Sequence, residues 1–124
     1  MKLISALVLT LACFKASATE TQNCDLDGVI SSEIRWESIN NGMKSASFDL
    51  LVSRVLGAEN SGDLWCQEKV RLNSSNQGVI TVTVNNPSGN VDKVSNGKGA
   101  KVRWTMVDAG EIRFAGFKVL AVSP

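Results

Sequence analysis

Few side chains in this 124-residue sequence are equipped for catalysis, and the missing types matter most. The chain has no histidine and no tyrosine. That removes Ser–His and Cys–His nucleophile activation, imidazole acid–base chemistry and the commonest zinc ligand. Carboxylates are the remaining route. Glu33 and Glu37 fall on one face of a predicted strand, about 13 Å apart at strand rise, too far for the paired acids of a glycosidase. Glu59 and Asp63 share a polar loop and read most simply as a solvated tip. Asp25-Leu26-Asp27-Gly28 has the opening of a calcium loop, but Trp36 stands where the closing glutamate belongs. Gly97 and Gly99 flank Lys98 without a strand leading into a helix, so they form no phosphate cradle. The expectation is a protein that is not an enzyme, with no metal and no cofactor.

The thiols point the same way. Of three cysteines, Cys13 falls in an expected signal peptide, residues 1–18. There Lys2 supplies the positive start, residues 3–14 an apolar run, and Ala16-Ser17-Ala18 the small residues of a cleavage site. The run is shorter than the ~20 residues of a membrane span. Thr10-Leu11-Ala12-Cys13 leaves lipidation at Cys13 as an alternative. Cys24 and Cys66 remain, and in an exported chain an even pair predicts a disulfide; two free buried thiols are the alternative. Periplasmic or secreted localisation follows.

Residues 19–124 are then a single domain, large enough for its own core. Losing Lys2 and Lys15 takes the basic residues from 13 to 11 against 12 acidic, a net charge of −1. The charges are scattered. Nucleic acid and anionic membranes lose their usual electrostatic motive, and membrane insertion is not expected.

The elements that position these residues read as strands. Even positions from Cys24 to Ser38 are apolar, small or sulfur, and odd ones carry Asp25, Asp27, Glu33, Arg35 and Glu37. Asn41-Gly42 suits a tight hairpin. Residues 46–56 fit a returning strand better than a short helix, although both patterns are present. Residues 64–72, 79–84, 100–107 and 111–122 alternate as well, with a bulge expected at Ala115-Gly116. Residues 91–95 make a short strand at best. The fold predicted is an all-β antiparallel β-sandwich of about seven strands, immunoglobulin-like in size, braced by one disulfide.

On this parity Trp36 and Trp104 belong to the core, while Trp65 points outward beside Cys66. Leu51, Val55 and Val79 fall on the outer parity too. With Trp65 they predict an exposed apolar patch for a partner or a homodimer. Loops 57–63 and 96–99 are the candidates for insertion into a partner's cleft. The partner-binding residues expected are therefore Glu59, Asn60, Asp63, Trp65 and Lys98. Asn73-Ser74-Ser75 is a glycosylation sequon, relevant in a eukaryotic host.

In size, signal and β content the whole chain resembles the periplasmic immunity proteins that bacteria keep against their own cell-wall-degrading type VI secretion effectors. The resemblance implies an inhibitor that plugs the active site of a lysozyme-like or peptidase effector. The Cys24 to Cys66 spacing is also similar to that of some pilin domains, which implies the alternative of a pilus or curli-type fibre subunit or assembly chaperone. A secreted eukaryotic effector or lectin is a third class.

Overall fold

The computed structural model describes residues 20–39, 42–59, 61–85, 87, 89–109 and 112–124. The expected signal peptide, Cys13, Asn40, Asn41 and Asn60 lie outside them. The described residues form six strands: β1 (Glu20–Ile30), β2 (Arg35–Ser38), β3 (Lys44–Ala58), β4 (Val79–Asn85), β5 (Gly99–Ala109) and β6 (Ile112–Val122). One α-helix, α1 (Asp63–Asn73), separates β3 from β4, and a 3-10 turn (Gly89–Lys93) separates β4 from β5. The fold is all-β and antiparallel as expected, with the Cys24–Cys66 disulfide in place.

Hydrogen bonding joins all six strands into one sheet. The long hairpin expected from Cys24 onward is present, with its first arm interrupted at residues 31–34 and so divided into β1 and β2. β3 pairs with both along one edge and with β4 along the other. β1 pairs on its far edge with β5, and β5 with β6. β4 and β6 then come into contact with each other, so the sheet curls around its own apolar face. Cys24, Leu26, Ile30, Phe48, Leu50, Val82 and Val102 are fully buried on that face. A buried side chain the size of Phe48 contributes about 1.5–3 kcal/mol of hydrophobic stabilisation.

Two bulges explain where simple alternation fails. Asp27 faces Arg54 but Gly28 faces Val52, so Ser53 is the extra residue of β3. The inserted residue flips the parity. Val55, expected outside, is packed against the core instead. Glycine is needed opposite, because a Cβ on Gly28 would lie 2.3 Å from the Leu51 carbonyl oxygen. In β6 the extra residue is Leu120, not the expected Ala115-Gly116. The Asn90 side-chain amide donates to the Leu120 carbonyl at 2.9 Å and so occupies backbone that the bulge disturbs.

Three expectations are corrected. Residues 64–72 are helical, not a strand: Cys66 and Val70 are buried one turn apart, while Leu64 and Leu72 point to solvent. A spacing of four satisfies both the strand and the helix period. Glu68 at an inward strand position, amid Gln67, Lys69 and Arg71, already favoured the helix. Residues 91–95 are not a strand. Most of them belong to the 3-10 turn and its exit, which bury Val91 and Val94 three residues apart. With both segments lost and the first arm split, the strands among the described residues number six.

The third correction is Trp36. It occupies the core-facing parity opposite the buried Ala46, yet it is 50% exposed. β2 runs beyond the body of the sheet. The β1–β5 ladder ends at Val29↔Gly99, so among the described residues no strand flanks β2 on its far side. Trp104 is in the core as expected, stacked on Phe117 with centroids 5.5 Å apart. Its indole N–H has no acceptor among the described residues, a cost of about 1–3 kcal/mol.

Candidate functional site

Outside the core, several described residues between β3 and α1 are tied to β1 and to one another. At their foot Gly57 faces Cys24 across the β1–β3 ladder, and Cys24 is bonded to Cys66 of α1 with Cα atoms 5.6 Å apart. Gly57, Glu59, Ser61 and Asp63 are then tied down in turn. The Asp63 carboxylate accepts the Gly57 N–H at 2.7 Å. The Ser61 hydroxyl accepts the Asn23 N–H at 2.8 Å and donates to the Gln22 side-chain oxygen at 2.8 Å. The Asn23 amide donates to Glu59 at 2.5 Å, and its side-chain oxygen accepts from Thr105 at 2.7 Å. Asn23 is buried, so this full set of partners is what makes its burial affordable. The Cys66 sulfur lies 3.6 Å from the Asn23 carbonyl oxygen. Once paired it carries no proton, so this is a packing contact.

Glu59 has φ +58 in the left-handed region that non-glycine residues rarely occupy. Its carboxylate is drawn to Arg103 at 3.7 Å as well as to Asn23. Arg103 in turn grips Asp25, its direct cross-strand neighbour, through two hydrogen bonds of 2.8 and 3.1 Å. The hydrogen bond to Asp25 raises the Arg103 pKa above its ordinary value, partly offset by burial and helped by the charges of Asp25 and Glu59. Lys101 pairs with Asp27 at 3.7 Å in the next outward position. Asp25 and Asp27 therefore sit on a strand face opposite cations, not in a loop wrapped around an ion. Truncating Arg103 to alanine is expected to lower stability by about 1 kcal/mol, the scale of an exposed to half-buried cross-strand pair. A double-mutant cycle with Asp25→Ala in urea checks it; a coupling of zero would mean that the pair holds nothing.

Beside this turn α1 presents an apolar outer surface. Leu64 is 80%, Leu72 60% and Trp65 38% exposed. Lys69, one turn after Trp65, places its ammonium 5.4 Å from the indole centroid. Arg71 and Glu68 neutralise each other at 2.6 Å, and this hydrogen bond is the main reason the Glu68 carboxyl is held below its usual range. The helix end is closed by Asn73, whose amide donates to the Lys69 carbonyl at 2.8 Å.

The structure thus brings Glu59, Asp63 and Trp65 to one end of the sheet. Lys98 is not with them. Its carbonyl accepts the Ile30 N–H, and Gly97 N–H donates to the Ile30 carbonyl, both at 2.8 Å. Loop 96–99 is therefore laced to the opposite end of β1. Asn23 and Ile30 are seven residues apart, or about 23 Å at strand rise. The expected apolar patch is divided as well. Leu51 lies between Val29 and Val79 on the outer face of the sheet, while Trp65 belongs to α1. Asn23 and Arg103 had no signal in the sequence; only strand register places them beneath the turn.

No group of three or more potential metal ligands occurs among the described residues, and none of their helices is long and apolar enough to cross a membrane. No protein-family model, curated protein or solved structure matches this chain.

Proposed function

We propose that this is an exported, non-enzymatic binding protein that blocks a partner protein, most concretely an immunity protein occupying the active site of a cell-wall hydrolase effector. One observation carries the reading: between β3 and α1, Gly57, Glu59, Ser61 and Asp63 are each hydrogen-bonded or ion-paired to Asn23, Gln22, Arg103 or one another, above a disulfide at their foot. A segment ordered before binding loses little entropy when it enters a cleft. The exposed Trp65 and Leu64 at the start of α1 supply the apolar anchor that such a contact needs. Export accords with the disulfide, which persists in oxidising compartments.

The test is inhibition. The purified protein should bind one cell-wall hydrolase from its own cell at one-to-one stoichiometry and suppress its activity. Trp65→Ala should weaken that binding about thirtyfold, the scale of an interface hot spot, with the melting temperature almost unchanged. A protein that inhibits no hydrolase of its own organism sinks the reading. A large fall in melting temperature for Trp65→Ala would make Trp65 a folding residue instead.

A further inference from the structure

The unflanked edge of β2 is a separate surface, at the end of the sheet away from Trp65. β2 pairs with β3 on one side only among the described residues. Ile39 N–H donates to the Met43 carbonyl at 2.8 Å. Antiparallel pairs alternate between hydrogen-bonded and non-hydrogen-bonded, so Arg35 and Glu37 direct their backbone groups toward β3. Trp36 and Ser38 direct theirs toward the open edge. Among the described residues this edge carries no proline, no bulge and no covering helix; what guards it is its length of four residues and the charges of Arg35 and Glu37. Trp36, Ile39 and Met43 are exposed along it and at the tip of the hairpin.

We infer that this edge pairs with the same edge of a second copy of the chain, antiparallel about a two-fold axis through Trp36. A two-fold normal to the sheet keeps each face on its own side, so residues that meet must share parity. Centring on Trp36 satisfies this and puts its outward N–H and C=O against those of the second Trp36. On that face indole meets indole. On the other face Arg35 meets the second copy's Glu37, and Glu37 the second copy's Arg35, so Arg-Trp-Glu is self-complementary in charge. Glu37 has no cation partner of its own among the described residues. Arg35, which spends one nitrogen on Asp49 and another on Ser32, keeps further N–H groups for the second copy.

The contact is small, so the dimer is weak: assembled at about 1 mM and dissociated at about 1 µM. Sedimentation equilibrium of the purified protein over that range reads it directly. Glu37→Arg places two like-charge pairs in the dimer and should weaken it about tenfold. Arg35→Glu should do the same. Mixed together, these two variants restore opposite charges at both pairs and should associate with each other more tightly than either does with itself. Trp36→Pro removes the N–H that faces the open edge, a position where an edge strand tolerates proline. It should abolish dimerisation while leaving the circular dichroism spectrum of the monomer intact, even if Arg35→Glu fails to fold. A protein that stays monomeric at about 1 mM overturns the inference. So does a dimer that survives both Glu37→Arg and Trp36→Pro, or one lost only in Trp65→Ala. The outcome is independent of hydrolase inhibition, which engages the other end of the molecule.

Discussion

Replacing Cys24 and Cys66 together by alanine should lower the unfolding free energy by about 4 kcal/mol, one of the two largest effects expected of this chain. The bond closes a loop of 42 residues. On a chain-entropy account a loop of that length takes roughly 4 kcal/mol from the unfolded state's advantage. Both cysteines are fully buried, so each alanine also leaves a small void in the core. The consequence is local as well as global. The disulfide cross-links β1 to α1, and apart from Cys66 the helix buries only Val70. Its loss should free the helix and the 57–63 turn before the sheet gives way. Urea unfolding followed by far-UV circular dichroism measures the first effect, and amide hydrogen exchange in α1 the second. Were the midpoint to shift by less than the equivalent of about 1 kcal/mol, the helix would be held by packing alone.

Gly57→Ala should be nearly as damaging, at about 3 kcal/mol, the upper range for forced overpacking. A Cβ there would lie 2.2 Å from the Ser61 carbonyl oxygen and 2.7 Å from the Gly62 carbonyl carbon. Both obstacles are backbone, so no side-chain rotation relieves them. The turn has to move, and with it the hydrogen bonds from Gly57 to Asp63 and from Asn23 to Ser61. The same substitution therefore separates shape from chemistry. It alters no exposed side chain, yet it should reduce partner binding at temperatures where the sheet is still folded. Gly62→Ala is the natural control, since nothing lies within 4 Å of its added Cβ. Equal stability of the two variants would remove the close contact from the account.

The pairing inferred for the β2 edge also bears on the competing reading as a fibre component. A fibre grows through contacts that do not close, whereas a two-fold edge pairing stops at the dimer. Polymers of the purified protein, in place of a monomer–dimer equilibrium, would favour assembly over inhibition.

Much of the sheet was legible in the alternation of residues. Cys24, Leu26 and Ile30 lie inside, as do Phe48, Leu50, Ile80, Val82, Val102 and Trp104, and the segment around Phe48 is a strand, as its pattern favoured. The disulfide followed from an even pair of cysteines. Alternation failed where a local pattern had two valid periods, as at Cys66 and Val70. It failed again where a bulge changed the phase, as at Ser53.

What the sequence determined by itself was the chemical inventory. Without histidine the chain has no imidazole to offer, whatever its fold. The period-two hydrophobic pattern likewise marked the strands around Leu26, Phe48, Val82 and Val102, because side chains of a strand must alternate between faces. What only the tertiary structure decided was which of these residues meet. Asn23, Glu59 and Arg103 converge because β1 lies between β3 and β5 in a particular register, a matter of partners distant along the chain. Trp36 has the parity of a core residue and the exposure of a surface one, because burial requires a neighbouring strand and β2 extends past the last of them.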